Sequence, residues 1–174
     1  MFGEGFAKFR TAAARVTSVM NAVATFWIFV IMFLMTGDVL GRVLFNRPIT
    51  GTPEIVKVSI VGIVFLQIPH TLWVNRHIRS EILLAKLKSF ARSVFLILTD
   101  LLGVAVFVGI MWASWGDTII AWQKLEIEGE GALRVPVYPI RTIIILGSLM
   151  TAIHFAIKVI QGVRELQKES PGQG

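Results

Sequence analysis

Ionisable side chains inside an apolar stretch are where chemistry would show first, because each costs roughly 2.5–3.5 kcal/mol to place in a membrane helix. Asp38 and Arg42 stand four apart on one helical face, and Glu54 and Lys57 follow after the tight loop Arg47-Pro48-Ile49-Thr50-Gly51. Arg42 and Glu54 are expected to meet across that loop. The structural reading is a polar clasp between two antiparallel helices; the other is part of a substrate or ion path. Asp100 and His154 each lie about six residues inside an apolar run, roughly 9 Å along a helix. They are expected to pair if the helices that carry them are neighbours. His77, Arg79 and Glu81 form a third polar group, between two apolar runs.

None of these sets is a catalytic constellation. The sequence has no acid pair, no nucleophile with its base, no phosphate-binding glycine loop and no metal motif, and it contains no cysteine. The expectation is a chain that is not an enzyme and carries no cofactor. A haem held between His70 and His154 is one competing idea. Pro69 precedes His70 close to a helix end, so the two histidines match poorly in depth. A proton relay would need its groups chained across the membrane, and Asp100, His154 and His70 all fall in one half.

The elements that carry these residues follow from composition. Of 174 residues 55% are hydrophobic and 16% charged, with a mean hydropathy of +0.72. A soluble domain of this size carries about 25% charged residues, so a water-facing surface of the usual kind is excluded. A bilayer core about 30 Å thick needs roughly 20 apolar residues in helix. Four stretches qualify, at about 19–40, 55–73, 94–115 and 137–160. Lys8, Arg10 and Arg15 precede the first like the front of a signal peptide. That run is long and aromatic and lacks a small-residue cleavage site, so it is expected to stay as a helix.

Basic residues orient the chain. With both termini in the cytoplasm, the inside holds Lys8, Arg10 and Arg15, then Arg76, Arg79, Lys86, Lys88 and Arg92, then Lys158, Arg164 and Lys168. The outer loops hold only Arg47, Lys124 and Arg134, with Arg42, Lys57 and Arg141 at outer helix ends. The net charge of +6 therefore reads as orientation rather than as a nucleic-acid footprint. Between the second and third spans, Leu83, Leu84, Leu87, Phe90 and Ala91 share one helical face flanked by basic residues. Residues 77–91 are expected to form an amphipathic helix in the cytoplasmic interface, in contact with lipid phosphates. An early start of the third span is the other reading of that segment. The predicted fold is all-α: a single domain of four transmembrane helices, N-in and C-in, with this interfacial helix. Trp73, Trp112, Trp115 and Trp122 fall near the predicted interfaces.

The stretch Arg42-Val-Leu-Phe-Asn46-Arg-Pro48-Ile-Thr-Gly51-Thr-Pro-Glu54, a following apolar span, and then His77-Ile78-Arg79-Ser-Glu81-Ile-Leu-Leu resemble a known pattern. They are similar to the small membrane subunit of tripartite ATP-independent periplasmic (TRAP) transporters, the Q-type or DctQ-like family. Glu81 stands where that family often has aspartate or a small residue, and keeps the charge. The resemblance implies a multi-pass protein of the bacterial inner membrane with no transport site of its own. It implies as partners a large multi-span subunit that holds the substrate and sodium sites, and a periplasmic binding protein that delivers an organic anion, commonly a carboxylate or sialic acid. The role implied is to brace the large subunit. A self-sufficient four-helix transporter and an anchor for an unrelated respiratory or signalling complex are the alternatives.

Overall fold

The computed structural model describes residues 2–74, 89–128 and 134–169. Four helices are present: α1 (Phe2–Phe45), α2 (Thr52–Val74), α3 (Ser89–Lys124) and α4 (Tyr138–Glu169). All four are long and apolar enough to cross a membrane. A two-stranded antiparallel ribbon, β1 (Ile127–Glu128) with β2 (Val135–Pro136), joins α3 to α4. The helices run past the apolar stretches that announce them. α1 starts well before residue 19, and α3 continues to Lys124, because backbone hydrogen bonding carries on into the polar flanks where hydropathy drops.

The turns have local causes. α1 ends where Asn46 takes a left-handed φ of 51° and the Arg47 N–H donates to the Gly41 carbonyl at 3.0 Å. Gly51, at φ 88°, reverses the chain, and its carbonyl accepts the Ile55 N–H to start α2. Pro53 falls in the first turn, where a helix has no use for the missing N–H. At the end of α3, Leu125 turns left-handed and Glu126 N–H closes on Ala121 O at 2.9 Å.

The helices pack in a row, in the order α1, α2, α4, α3. α2 and α4 are the central pair, and α1 and α3 share no extended packing face among the described residues. Neighbours meet through glycine. A Cβ on Gly62 would lie 3.2 Å from Ile140 and 3.3 Å from Trp27, and one on Gly103 2.9 Å from the Phe155 ring. A Cβ on Gly162 would lie 2.8 Å from Ile97, and one on Gly147 would overlap the Phe65 carbonyl oxygen. Close backbone approach through small residues is how membrane helices associate, since lipid tails give no hydrophobic drive between them. The pairs Gly62–Ile140, Phe65–Gly147 and Trp73–His154 ascend together, so α2 and α4 run parallel. α1 is antiparallel to α2, with Trp27 Nε1 donating to Ser59 Oγ at 3.2 Å beside a small core of Ala24, Ile31, Ile63 and Leu66.

Candidate functional site

Three polar stations lie along the row. The first is the turn between α1 and α2. Asp38 is buried, and its carboxylate accepts from Arg42 Nη2 at 2.9 Å and from the Ile49 N–H at 2.7 Å. Thr52 Oγ1 donates to the Ile49 carbonyl at 3.1 Å, so the turn is held from both its ends. The clasp is therefore centred on Asp38. The expected contact between Arg42 and Glu54 is not formed: Arg42 reaches back one turn along α1, and Glu54 Oε2 has no hydrogen-bond partner. The physical reason is proximity. Asp38 lies one turn away on the same face and needs a cation, while Glu54 sits in the first turn of α2, where the helix N-terminus favours a carboxylate. Lys57 is exposed one turn further on.

The second station is at the other end of the row. Asp100 on α3 is 4% exposed and His154 on α4 is 3% exposed. The contacts Gly103–Phe155 and Ile97–Gly162 set the antiparallel register of these helices. Counting from either one puts Asp100 level with Lys158 and Val159, with His154 about one turn away. Lys158, half-buried, is therefore level with Asp100. The sequence reading counted Lys158 only among the inner basic residues; its spacing of four from His154 was the available signal. The Trp73 indole meets the His154 ring edge-on, with centroids 4.8 Å apart. Among the described residues no group of three or more His, Cys, Asp or Glu side chains could hold a metal ion.

The third station is the ribbon end of the α3–α4 pair, where the sequence named only the basic residues Lys124, Arg134 and Arg141. Arg141 reaches Asp117 on α3 at 3.4 Å through Nη1 and Glu126 at 3.2 Å through Nη2. Trp122 Nε1 donates to Thr142 Oγ1 at 2.9 Å and its ring packs on Tyr138, centroids 4.7 Å apart. Glu126 also accepts the Val137 N–H on its backbone carbonyl at 3.1 Å. The signal available in the sequence was Asp117, an acid placed just where the third apolar run ends.

His77, Arg79 and Glu81 lie outside the described residues, as does most of the expected interfacial helix at 77–91; its last residues, 89–91, open α3. Between the stations the membrane interior is bare of ionisable groups. None occurs between Asp100 and Asp117 on α3, between Arg141 and His154 on α4, between Lys57 and His70 on α2, or between Arg15 and Asp38 on α1.

The family model for the DctQ component of tripartite ATP-independent periplasmic transporters covers residues 31–165, which takes in all three stations. No curated protein matches the chain.

Proposed function

The chain belongs to the DctQ family of tripartite ATP-independent periplasmic transporter components, and on that premise we propose that it is the small membrane subunit of a sodium-driven uptake system for organic anions of the carboxylate or sialic acid class. It is an integral membrane protein and a transporter component rather than an enzyme. Its place is the bacterial inner membrane, with both termini in the cytoplasm and the whole chain forming one membrane domain. The large multi-span subunit carries the substrate and sodium sites. This chain braces it, and a periplasmic binding protein supplies the substrate.

The observation that carries this reading is the interior bare of ionisable side chains across all four helices. A hydrated anion entering lipid must exchange its water shell for polar groups. Here the charged groups gather in two belts, and 12 to 22 residues without an ionisable side chain lie between the nearest of them on each helix, about 18–33 Å at 1.5 Å per residue. The inner belt is basic, with Arg15, Arg92, Lys158 and Arg164, while the outer belt mixes Asp38, Arg42, Glu54, Asp117 and Arg141. That asymmetry supports the N-in orientation. The shape supports bracing: a row of helices joined by close glycine contacts presents broad flanks, those of α1 and α3, to its surroundings. The Asp38 clasp outside and the amphipathic segment 77–91 inside are the parts assigned to steady the contact with the large subunit.

Reconstitution in liposomes tests the reading. With a sodium gradient and the cognate binding protein outside, uptake is expected only when this chain and the large subunit are both present. Uptake by this chain alone, or full uptake by the large subunit without it, refutes the proposal.

A further inference from the structure

The C-terminal end of α2 is held differently from the rest of that helix. As far as Phe65 the helix is clamped through backbone approach: Gly62 lies against Ile140 and Trp27, and Gly147 lies against the Phe65 carbonyl. Pro69 follows, fully buried, and supplies no N–H to that carbonyl. A proline inside a helix is where its axis bends most readily. Beyond it α2 has only the stretch from His70 to Val74.

That stretch carries two buried polar atoms without partners. Trp73 Nε1 and His70 Nδ1 make no hydrogen bond. An indole nitrogen can only donate, and a buried donor with no acceptor bears the full desolvation cost of the group. The two rings stand three residues apart, as neighbours on the helix surface, so both penalties fall on the same turn. What meets α4 here is a ring rather than backbone: Trp73 lies edge-on to His154, with centroids 4.8 Å apart. Val74, which ends the helix, is exposed. A turn that hangs from a proline, packs through rings and strands two polar atoms opens at lower cost than the glycine seam beside it.

We propose that residues 70–74 form a two-position turn hinged at Pro69, latched in the position described here by Trp73 on His154. In the second position the turn swings off α4. The indole N–H and the His70 ring then reach the membrane boundary, where water and headgroup oxygens satisfy them. Tryptophan suits that boundary, with its body in apolar and its N–H in polar surroundings. The swing uncovers His154, which is 3% exposed in the latched position. It also redirects the chain where it leaves Val74 on its way to α3. The seam up to Phe65 stays in place, because Gly62 and Gly147 hold it. The hinge does not rest on the proposed function, since every group it uses belongs to this chain.

The test uses the full chain in lipid nanodiscs, labelled with fluorotryptophan, the Trp73 fluorine resonance being assigned by its loss in Trp73→Phe. Two exchanging Trp73 resonances are expected, of which only the second shifts in heavy water as a solvated indole does. Pro69→Ala restores the N–H that Phe65 lacks and is expected to lower the share of the second resonance about tenfold. His70→Leu removes one stranded polar atom from the latched position and is expected to lower it about threefold. His154→Ala removes the latch and is expected to raise it about tenfold. A second resonance seen only in His154→Ala supports the hinge with the latch dominant. A single Trp73 resonance in every folded variant overturns it. So does a pair of resonances whose ratio neither Pro69→Ala nor His70→Leu lowers, which decides the matter even where His154→Ala does not fold.

Discussion

Replacing Gly147 by alanine adds one methyl group, and the structure says where it goes. Pro69 lies inside α2 and lacks the N–H that would have bonded the carbonyl of Phe65. Gly147 on α4 lies against that same carbonyl. A Cβ there would overlap the Phe65 oxygen and lie 2.9 Å from the carbonyl carbon. The obstacle is backbone, so no rotamer change relieves it, and α2 and α4 must part by about 1 Å to restore van der Waals distance. Overpacking costs about 1–3 kcal/mol, and a backbone obstacle belongs at the upper end. For a chain of this length that is a fall of roughly 4–10 °C in melting temperature, read by tryptophan fluorescence of the purified protein in mild detergent. Two other glycines calibrate the result. At Gly103 the neighbour is the Phe155 ring at 2.9 Å, which can tilt, so Gly103→Ala should cost less. At Gly109 nothing lies within 4 Å, and Gly109→Ala should be neutral or stabilising. If Gly147→Ala melts with Gly109→Ala, the close parallel seam is refuted.

Asp38→Ala leaves the Ile49 N–H without its acceptor and should destabilise by about 1–3 kcal/mol, whereas Arg42→Ala, which removes only the partner on the exposed side, should cost under about 1 kcal/mol in the same melt. Leu125→Gly should raise stability by about 1 kcal/mol through relief of the left-handed backbone at φ 47°; a variant that loses stability contradicts this. Double-mutant cycles of Asp100→Asn with Lys158→Met and with His154→Gln should show coupling in both, larger with Lys158, which is level with Asp100; additive behaviour in both would dissolve the buried group. Because the chain has no cysteine, single cysteines at Ile127 and Val163 read orientation directly: an impermeant maleimide applied to cells should label the first and spare the second.

Much of the architecture can be read before any coordinates. Four apolar runs separated by charged turns announce four membrane helices, because the bilayer imposes a length that few other folds demand. The pairing of Asp38 with Arg42 follows from a spacing of four. What cannot be read is the other half of that clasp, since the donor in Asp38's second bond is the backbone N–H of Ile49, and backbone groups have no signature in residue type. The expected Arg42–Glu54 contact failed for that reason: two opposite charges on either side of a turn looked sufficient. Helix order is hidden as well. Gly62, Gly103, Gly147 and Gly162 mark the seams, but a glycine does not say which helix it admits, and neighbours in sequence are the natural first choice. The Arg141 lock was missed because its partners, Asp117 and Glu126, stand far from it along the chain and meet it only once α3 and α4 are paired.

The parallel seam between α2 and α4 also says how such a molecule is put together. Helices adjacent in the chain, α1 with α2 and α3 with α4, form two hairpins, the first held at its turn by the hydrogen bonds of Asp38 and Thr52 and the second by the ion pairs of Arg141. The seam that joins them is the one interface in the row made by helices that are not consecutive in sequence. It cannot begin to form until α4, the last helix, is in the bilayer. The chain leaving α2 at Val74 must then reach α3 at Ser89 with α4 standing between, a gap of two helix spacings, roughly 16–20 Å. The molecule is thus a late marriage of two halves, and a break in the stretch that links them should leave each hairpin whole, with Gly147 and Phe65 still able to find one another.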